Sequence, residues 1–176
     1  DINGEILLIG LAPAAHGGNR TGRVFTGDRS ADFLYKCLYK AKMSNQRTSE
    51  NKNDGLKLYN AYVTTALKCV PPGDKPTPLE LRTCFKYFKQ EIDLLRNVKI
   101  IVALGKIAFD ACIQFYKETY FLKNKDYLFG HAAKYQLPDK KILIGCYHPS
   151  PRNVNTKRIN LNKMVKLFKN TKKIIS

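Results

Sequence analysis

The junction between an apolar run, Glu5-Ile6-Leu7-Leu8-Ile9, and the glycine-rich stretch from Gly10 to Asp28 constrains this chain more than any other feature. The run reads as a buried strand. The stretch that follows is Gly10-Leu11-Ala12-Pro13-Ala14-Ala15-His16-Gly17-Gly18-Asn19-Arg20-Thr21-Gly22-Arg23-Val24-Phe25-Thr26-Gly27-Asp28. Its five glycines allow sharp bends and close approach of the backbone to a ligand. His16, Asn19, Arg20, Arg23 and Asp28 bring polar chemistry to one loop, and Phe25 adds a stacking face. Open α/β folds build their sites in loops at the C-terminal ends of strands. A polar surface loop of this length is uncommon unless it is functional.

A second segment has the same form. Ile142-Leu143-Ile144-Gly145-Cys146-Tyr147 reads as a buried strand and runs into His148-Pro149-Ser150-Pro151-Arg152-Asn153. The two prolines make a rigid turn that cannot continue the strand. A histidine at the mouth of such a turn is a candidate for catalysis or anion binding.

Between these segments the elements alternate. Ser30 to Ala41 has helical spacing, with Phe33, Leu34, Cys37, Leu38 and Ala41 on one face. Ser44 to Gly55 reads as a polar loop and Tyr59 to Leu67 as a strand. Thr77-Pro78-Leu79-Glu80 is a helix start with a capping box. Leu81, Cys84, Phe85, Phe88, Ile92 and Leu95 then form a core stripe. Lys99 to Leu104 is a further strand, Ala108 to Tyr116 a helix, and Leu161 to Ile174 the last helix. This order predicts an α/β fold with three α/β/α layers, a four-stranded parallel sheet covered on both faces. Residues 1–176 form a single domain without internal repeats or low-complexity segments.

The net charge is +17, from 31 Lys and Arg against 14 Asp and Glu, which points to a polyanionic partner, most commonly nucleic acid. A merely lysine-rich, soluble surface is the competing explanation. No apolar run approaches the ~18 residues of a membrane span. The chain opens directly at a core strand with no signal peptide, so an intracellular location and a further N-terminal segment are expected.

Five cysteines do not make a simple disulfide framework. Cys37, Cys112 and Cys146 fall within helix or strand patterns and read as buried residues. Cys69 and Cys84 instead flank a proline-rich loop with 14 residues between them. Two thiolates cannot complete a four-coordinate metal or cluster site.

The loop Gly10–Asp28 and the His148-Pro149-Ser150-Pro151 turn together resemble the uracil-DNA glycosylase superfamily, and the first of them resembles its family 5, or B-type, version. The stretch Ala66 to Cys84 is similar to the region that supplies iron–sulfur ligands in families 4 and 5. The likeness spans nearly the whole chain. It implies a monofunctional DNA glycosylase, a monomer that hydrolyses the N-glycosidic bond of uracil and other deaminated bases in DNA and so starts base excision repair. It also implies a 4Fe-4S cluster half-ligated by Cys69 and Cys84, with a CxxC upstream of residue 1 supplying the rest.

The same resemblance distributes the roles. A base must leave the stack and enter a pocket with an aromatic face and edge-reading groups. Phe25 is the stacking platform; Asn19 and the backbone amides of Leu11 and Ala12 are base contacts. Asp74 is a weaker candidate, because an ionised carboxylate cannot donate. His148 donates to the charge developing on the base. Gly10 to Ala15 carries no acid or amide, so the motif carboxylate Asp28 positions water or stabilises the sugar cation; its alternative is a helix cap for the segment from Ser30. Thr65 stands near where family 4 carries a base-reading asparagine, which implies looser specificity. Arg152 and Asn153 enter the minor groove, and Lys157 and Arg158 contact phosphates.

Two other readings compete. One is a non-catalytic nucleic-acid-binding module on the same fold. The other is a nucleotide- or phosphate-binding enzyme built on the glycine loop, weakened because neither GxxxxGK[ST] nor GxGxxG occurs.

Overall fold

Ile6–Gly10 forms β1, and all five of its residues are buried. The computed structural model describes residues 1–175, apart from the Asp74 side chain. Burial on both faces explains the unbroken apolar run, since strands of a covered parallel sheet show no alternation. Ile6 and Leu8 project to one face and Leu7 and Ile9 to the other, each into its own core.

After β1 come α1 (Arg29–Lys40), β2 (Ala61–Thr65), α2 (Pro78–Leu94), β3 (Ile100–Leu104), α3 (Lys106–Lys117), β4 (Lys134–Gln136), β5 (Ile142–Cys146), α4 (Pro151–Asn155) and α5 (Leu161–Ile175). The sheet order is β2-β1-β3-β5-β4. β1 runs parallel to β2, with Gly10 opposite Thr65, and parallel to β3, with Ile6 opposite Ile100. β3 runs parallel to β5, with Leu104 opposite Cys146. The carboxyl ends of β1, β3 and β5 therefore lie side by side, beside the point where the chain order reverses, which is where α/β folds bind ligands.

The four-stranded expectation is corrected by β4, which pairs antiparallel with β5, Tyr135 opposite Leu143. Three residues reading Lys-Tyr-Gln are too short to show periodicity. The strand exists because Leu137 N–H donates to Lys141 O and turns the chain back onto β5.

One face of the sheet is covered by α1 and α5, through Leu34, Leu38, Met164 and Phe168. The other is covered by α2 and α3, through Phe88, Phe109, Cys112 and Ile113. Fully burying such a side chain contributes roughly 1.5–3 kcal/mol. Cys37, Cys112 and Cys146 are buried, as expected. The α2 stripe is only partly realised. Phe88 and Leu95 are buried, whereas Leu81, Cys84, Phe85 and Ile92 stay half-buried. Leu81 and Phe85 border an open groove of about 740 Å³ between α2 and α3. The capping box at Thr77 and Glu80 is present in both directions. Among the described residues no helix is long and apolar enough to cross a membrane.

Candidate active site at the strand ends

β1 ends on Gly10, and the reason is Phe25. A Cβ at Gly10 would lie 2.6 Å from the Phe25 ring, so the aromatic face rests directly on the bare backbone. Phe25 adopts a φ of 49°, a left-handed conformation that side-chain-bearing residues rarely take. Its neighbours over-determine that strain. Arg23 donates from Nε to Thr26 Oγ1 at 2.9 Å, and from Nη2 to Ser49 Oγ at 2.8 Å and Asp54 Oδ2 at 2.7 Å. Gly27 N–H donates to Ser49 O at 2.7 Å. Asp54 also accepts backbone N–H bonds from Glu50 and Leu56. Burial pushes the Asp54 carboxyl up, but Arg23 and the backbone donors outweigh it and hold it well below the usual carboxylate range. Arg23 is thus a brace for the loop, and its guanidinium is turned toward protein.

Asp28 closes the loop. Its Oδ1 accepts Ala31 N–H at 2.9 Å and caps α1. Its Oδ2 lies against Gly17, where any Cβ would collide with it. The capping alternative is therefore real, and it uses one oxygen only. The carboxylate is also near enough to His148 to act on its charge.

His148 follows β5 and Tyr147. Its side chain packs over Gly105, the residue that ends β3 with a φ of 105°. Its ring stands 5.9 Å from that of Phe25, centroid to centroid, tilted by 34°. Burial lowers its proton affinity below the ordinary histidine value, and the negative Asp28 opposes that shift without reversing it. The ring is accordingly neutral at pH 7, able to donate one N–H.

The turn that aims His148 is held from both sides. Asn153 Nδ2 donates to His148 O at 2.9 Å, and Ser150 Oγ accepts Asn153 N–H. Tyr147 N–H donates to His131 Nδ1 at 3.3 Å, and the two rings stack at 5.4 Å. Asn153, expected in the groove of a bound duplex, thus has its amide committed to the backbone. Arg152, Lys157 and Arg158 are exposed, and Arg158 lies 4.4 Å over the Tyr147 ring.

The remaining candidates are less converged. Phe25 is 8% exposed and belongs to the core, with its ring 5.9 Å from that of His148. Leu11 and Ala12 are half-buried directly after β1, and Leu67 N–H ties to Leu11 O at 2.8 Å. His16, Asn19 and Arg20 are exposed on the outside of the loop. Asp74 lies in a turn over Pro72–Asp74, and its side chain lies outside the described residues. Thr65 is buried and donates to Leu67 O at 2.6 Å, so its hydroxyl is occupied. An open cavity of about 680 Å³ adjoins the loop on the β2 side, lined by Pro13, Arg23, Val24, Thr65, Lys68 and Glu91; Phe25 and His148 do not line it.

Cys69 is exposed and Cys84 half-buried, both as free thiols. No group of three or more His, Cys, Asp or Glu among the described residues is arranged to hold a metal ion. Two thiols alone do not fit the four-ligand requirement of a cluster. The segment between them is anchored at its ends. Lys68 Nζ donates to Glu91, Thr64 Oγ1 and Thr65 O, and the Thr77 cap starts α2.

Sequence reading missed His131, Gly105 and the Ser49–Asp54 brace. Each acts through a contact distant in the chain, and none carries a periodic or motif signal of its own.

Residues 1–172 match the family model described as Uracil DNA glycosylase superfamily. The chain is similar to the Type-5 uracil-DNA glycosylase of Thermus thermophilus, 41% identical over 174 residues, covering 99% of this chain and 77% of the relative. It is 39% identical over 171 residues to that of Mycobacterium tuberculosis, covering 97% of this chain and 63% of the relative. It is 37% identical over 169 residues to that of Pyrobaculum aerophilum, covering 96% and 71%.

Proposed function

We infer, because this chain belongs to the uracil-DNA glycosylase superfamily and within it to the Type-5 proteins, that it excises uracil from DNA by hydrolysing the N-glycosidic bond. The observation that carries the reading is the convergence of His148, Phe25 and Asp28 beside Gly105 at neighbouring strand ends. The non-catalytic alternative leaves that convergence unexplained.

Cleavage leaves negative charge on the base and positive charge on the sugar. His148, neutral and fixed by Asn153 and its turn, donates its N–H to the base oxygen as charge develops there. Preorganised donors of this kind contribute about 3 kcal/mol. The Leu11 and Ala12 amides donate to the same base, and Asn19 contacts it or the DNA backbone from the rim. Phe25, largely buried, supplies a floor more than an open stacking face. Asp28 uses one oxygen as the cap of α1 and turns its negative charge on the sugar cation or the attacking water. Arg152 reaches the minor groove, and Lys157 and Arg158 meet phosphates. The occupied Thr65 hydroxyl leaves base selection to backbone groups, and this supports action on other deaminated bases besides uracil.

Cys69 and Cys84 would supply two thiolate ligands to a 4Fe-4S cluster, which needs two more than the described residues offer. The test is incubation with a labelled uracil-containing duplex followed by alkali. Strand scission at uracil, without added metal or nucleotide, is expected. An intact strand with cluster-loaded protein would refute the enzyme reading.

A further inference from the structure

After Asp139 the chain contains no further Asp or Glu and ten Lys or Arg. This change of composition coincides with a structural unit. α5 buries Met164, Leu167, Phe168 and Thr171 against the sheet and α1. Lys163, Lys166, Lys169 and Lys173 are all exposed, and a spacing of three, three and four residues puts them on one face of the helix. At 1.5 Å per residue, Lys163 to Lys173 covers about 15 Å. None of the four has a carboxylate partner among the described residues.

The helices on the other face of the sheet differ. α2 and α3 mix signs, and several of their charges are paired locally: Lys89 with Glu118, Lys106 with Asp110, and Glu91 with Lys68, which precedes α2. α5 itself carries no Asp or Glu, so no acid on the helix offsets the four lysines. The position of α5 is the second observation. Ile159, fully buried, pins the start of the helix, and Ile159 N–H donates to Asn153 O, the same Asn153 that holds His148. Asn160 Oδ1 then accepts Lys163 N–H and caps the first turn. The basic face therefore begins beside the catalytic turn and leads away from it on a rigid element.

We propose that the Lys163–Lys173 face of α5 is a phosphate track for duplex DNA flanking the lesion, separate from the contacts made at the lesion itself. The proposal rests on the reading of the chain as a DNA glycosylase. Duplex DNA presents one negative charge per roughly 1.7 Å of axis, so about 15 Å of basic face spans several phosphates, and each neutralised phosphate adds about 0.9 to the slope of log affinity against log salt.

The experiment compares wild type with a variant carrying Lys163→Gln, Lys166→Gln, Lys169→Gln and Lys173→Gln. Binding to a short uracil duplex, just long enough to fill the catalytic corner, and to a duplex extended by about one helical turn on each side is measured against salt. Wild type should gain affinity and slope on the long duplex. The variant should lose roughly two to four units of that slope, and about tenfold or more in affinity near 0.1 M salt, while matching wild type on the short duplex. Arginine at the same four positions should restore both, which separates charge from folding. Lys86→Gln with Lys89→Gln on α2 removes like charges from the mixed-sign face and should leave the length dependence intact. A quadruple variant with the wild-type slope on the long duplex overturns the proposal, and uracil excision by wild type in the same samples shows that the parent reading survives it. Wild type that neither binds nor cleaves either duplex refutes both.

Discussion

The corner at the ends of β1, β3 and β5 and the cysteine segment that follows the neighbouring β2 share one row of strand termini, yet they are built on different terms. At the corner every polar group that defines the geometry has its partner within the chain: Arg23 with Asp54, Asp28 with Ala31, Asn153 with His148, Tyr147 with His131. The loop from Cys69 to Thr77 is anchored at Lys68 and at the Thr77 cap of α2, and the thiols of Cys69 and Cys84 have no metal-binding company among the described residues. The corner is a site that the fold completes. The cysteine segment offers two free thiols and no further ligand among the described residues.

The largest effect expected of breaking this comparison is at His148. His148→Ala should lower the single-turnover excision rate by about 100- to 1,000-fold, the usual cost of one preorganised donor. The pH profile sharpens the point. Burial lowers the His148 value below that of an ordinary histidine, so the neutral form already dominates at pH 7. The rate should stay level as pH rises from about 6.5 to 8, and fall only in acid, as the ring takes up a proton. A rate that declines through the neutral range would make the protonated ring the donor.

Next in size are the glycines under the corner. Gly17→Ala would drive a Cβ into the Asp28 carboxylate, and Gly10→Ala one into the Phe25 ring. Overpacking of this kind typically costs 1–3 kcal/mol. Gly17→Ala should also reduce excision, because Asp28 must move. Thermal melts and single-turnover rates check both.

The brace on the loop sets an acid limit. Asp54 is held below the usual carboxylate range, so its stabilisation is fully present above about pH 4 and is lost as pH falls below that value. Asp54→Asn should destabilise the protein at pH 7 and flatten the acid limb of a plot of melting temperature against pH. An unchanged acid limb would mean that Arg23 does not depend on this pair.

The smallest expected effects lie in the cysteine segment. In residues 1–176 alone, Cys69→Ser should shift stability by less than about 0.5 kcal/mol, as surface changes do. Cys112→Ser, in the core, should cost more than 1 kcal/mol. A thiol reagent at pH 8 should label Cys69 first and leave Cys37, Cys112 and Cys146 protected, since these three are buried and burial pushes the Cys37 thiol up to about 12. In protein that also carries an upstream CxxC, Cys69→Ser should bleach a brown chromophore. A chromophore indifferent to that change would exclude Cys69 as a ligand.

The sequence made the corner legible because its signals are local. The loop to Asp28 follows one strand and His148 follows another, and a buried run before each marks both as strand ends. The parallel order followed from the alternation of elements, and the Thr77 cap from four adjacent residues. What escaped was whatever depends on distant partners. Nothing near Asn153 reveals that its amide turns back to His148 and away from solvent, or that Ser49 and Asp54 brace Arg23. β4 escaped because three residues carry no period, and the α2 stripe looked fully buried because spacing alone does not tell how closely a second helix approaches.

The central claim, that His148 serves the leaving base and Asp28 the sugar or water, is tested most directly by comparing excision of uracil and 5-fluorouracil under single-turnover conditions. His148→Ala should lose clearly more on uracil than on the better leaving group. Asp28→Asn, which keeps the α1 cap because asparagine caps about as well as aspartate, should lose on the order of 100-fold on both bases alike. Full activity of Asp28→Asn, or equal losses on the two bases for His148→Ala, would contradict the account.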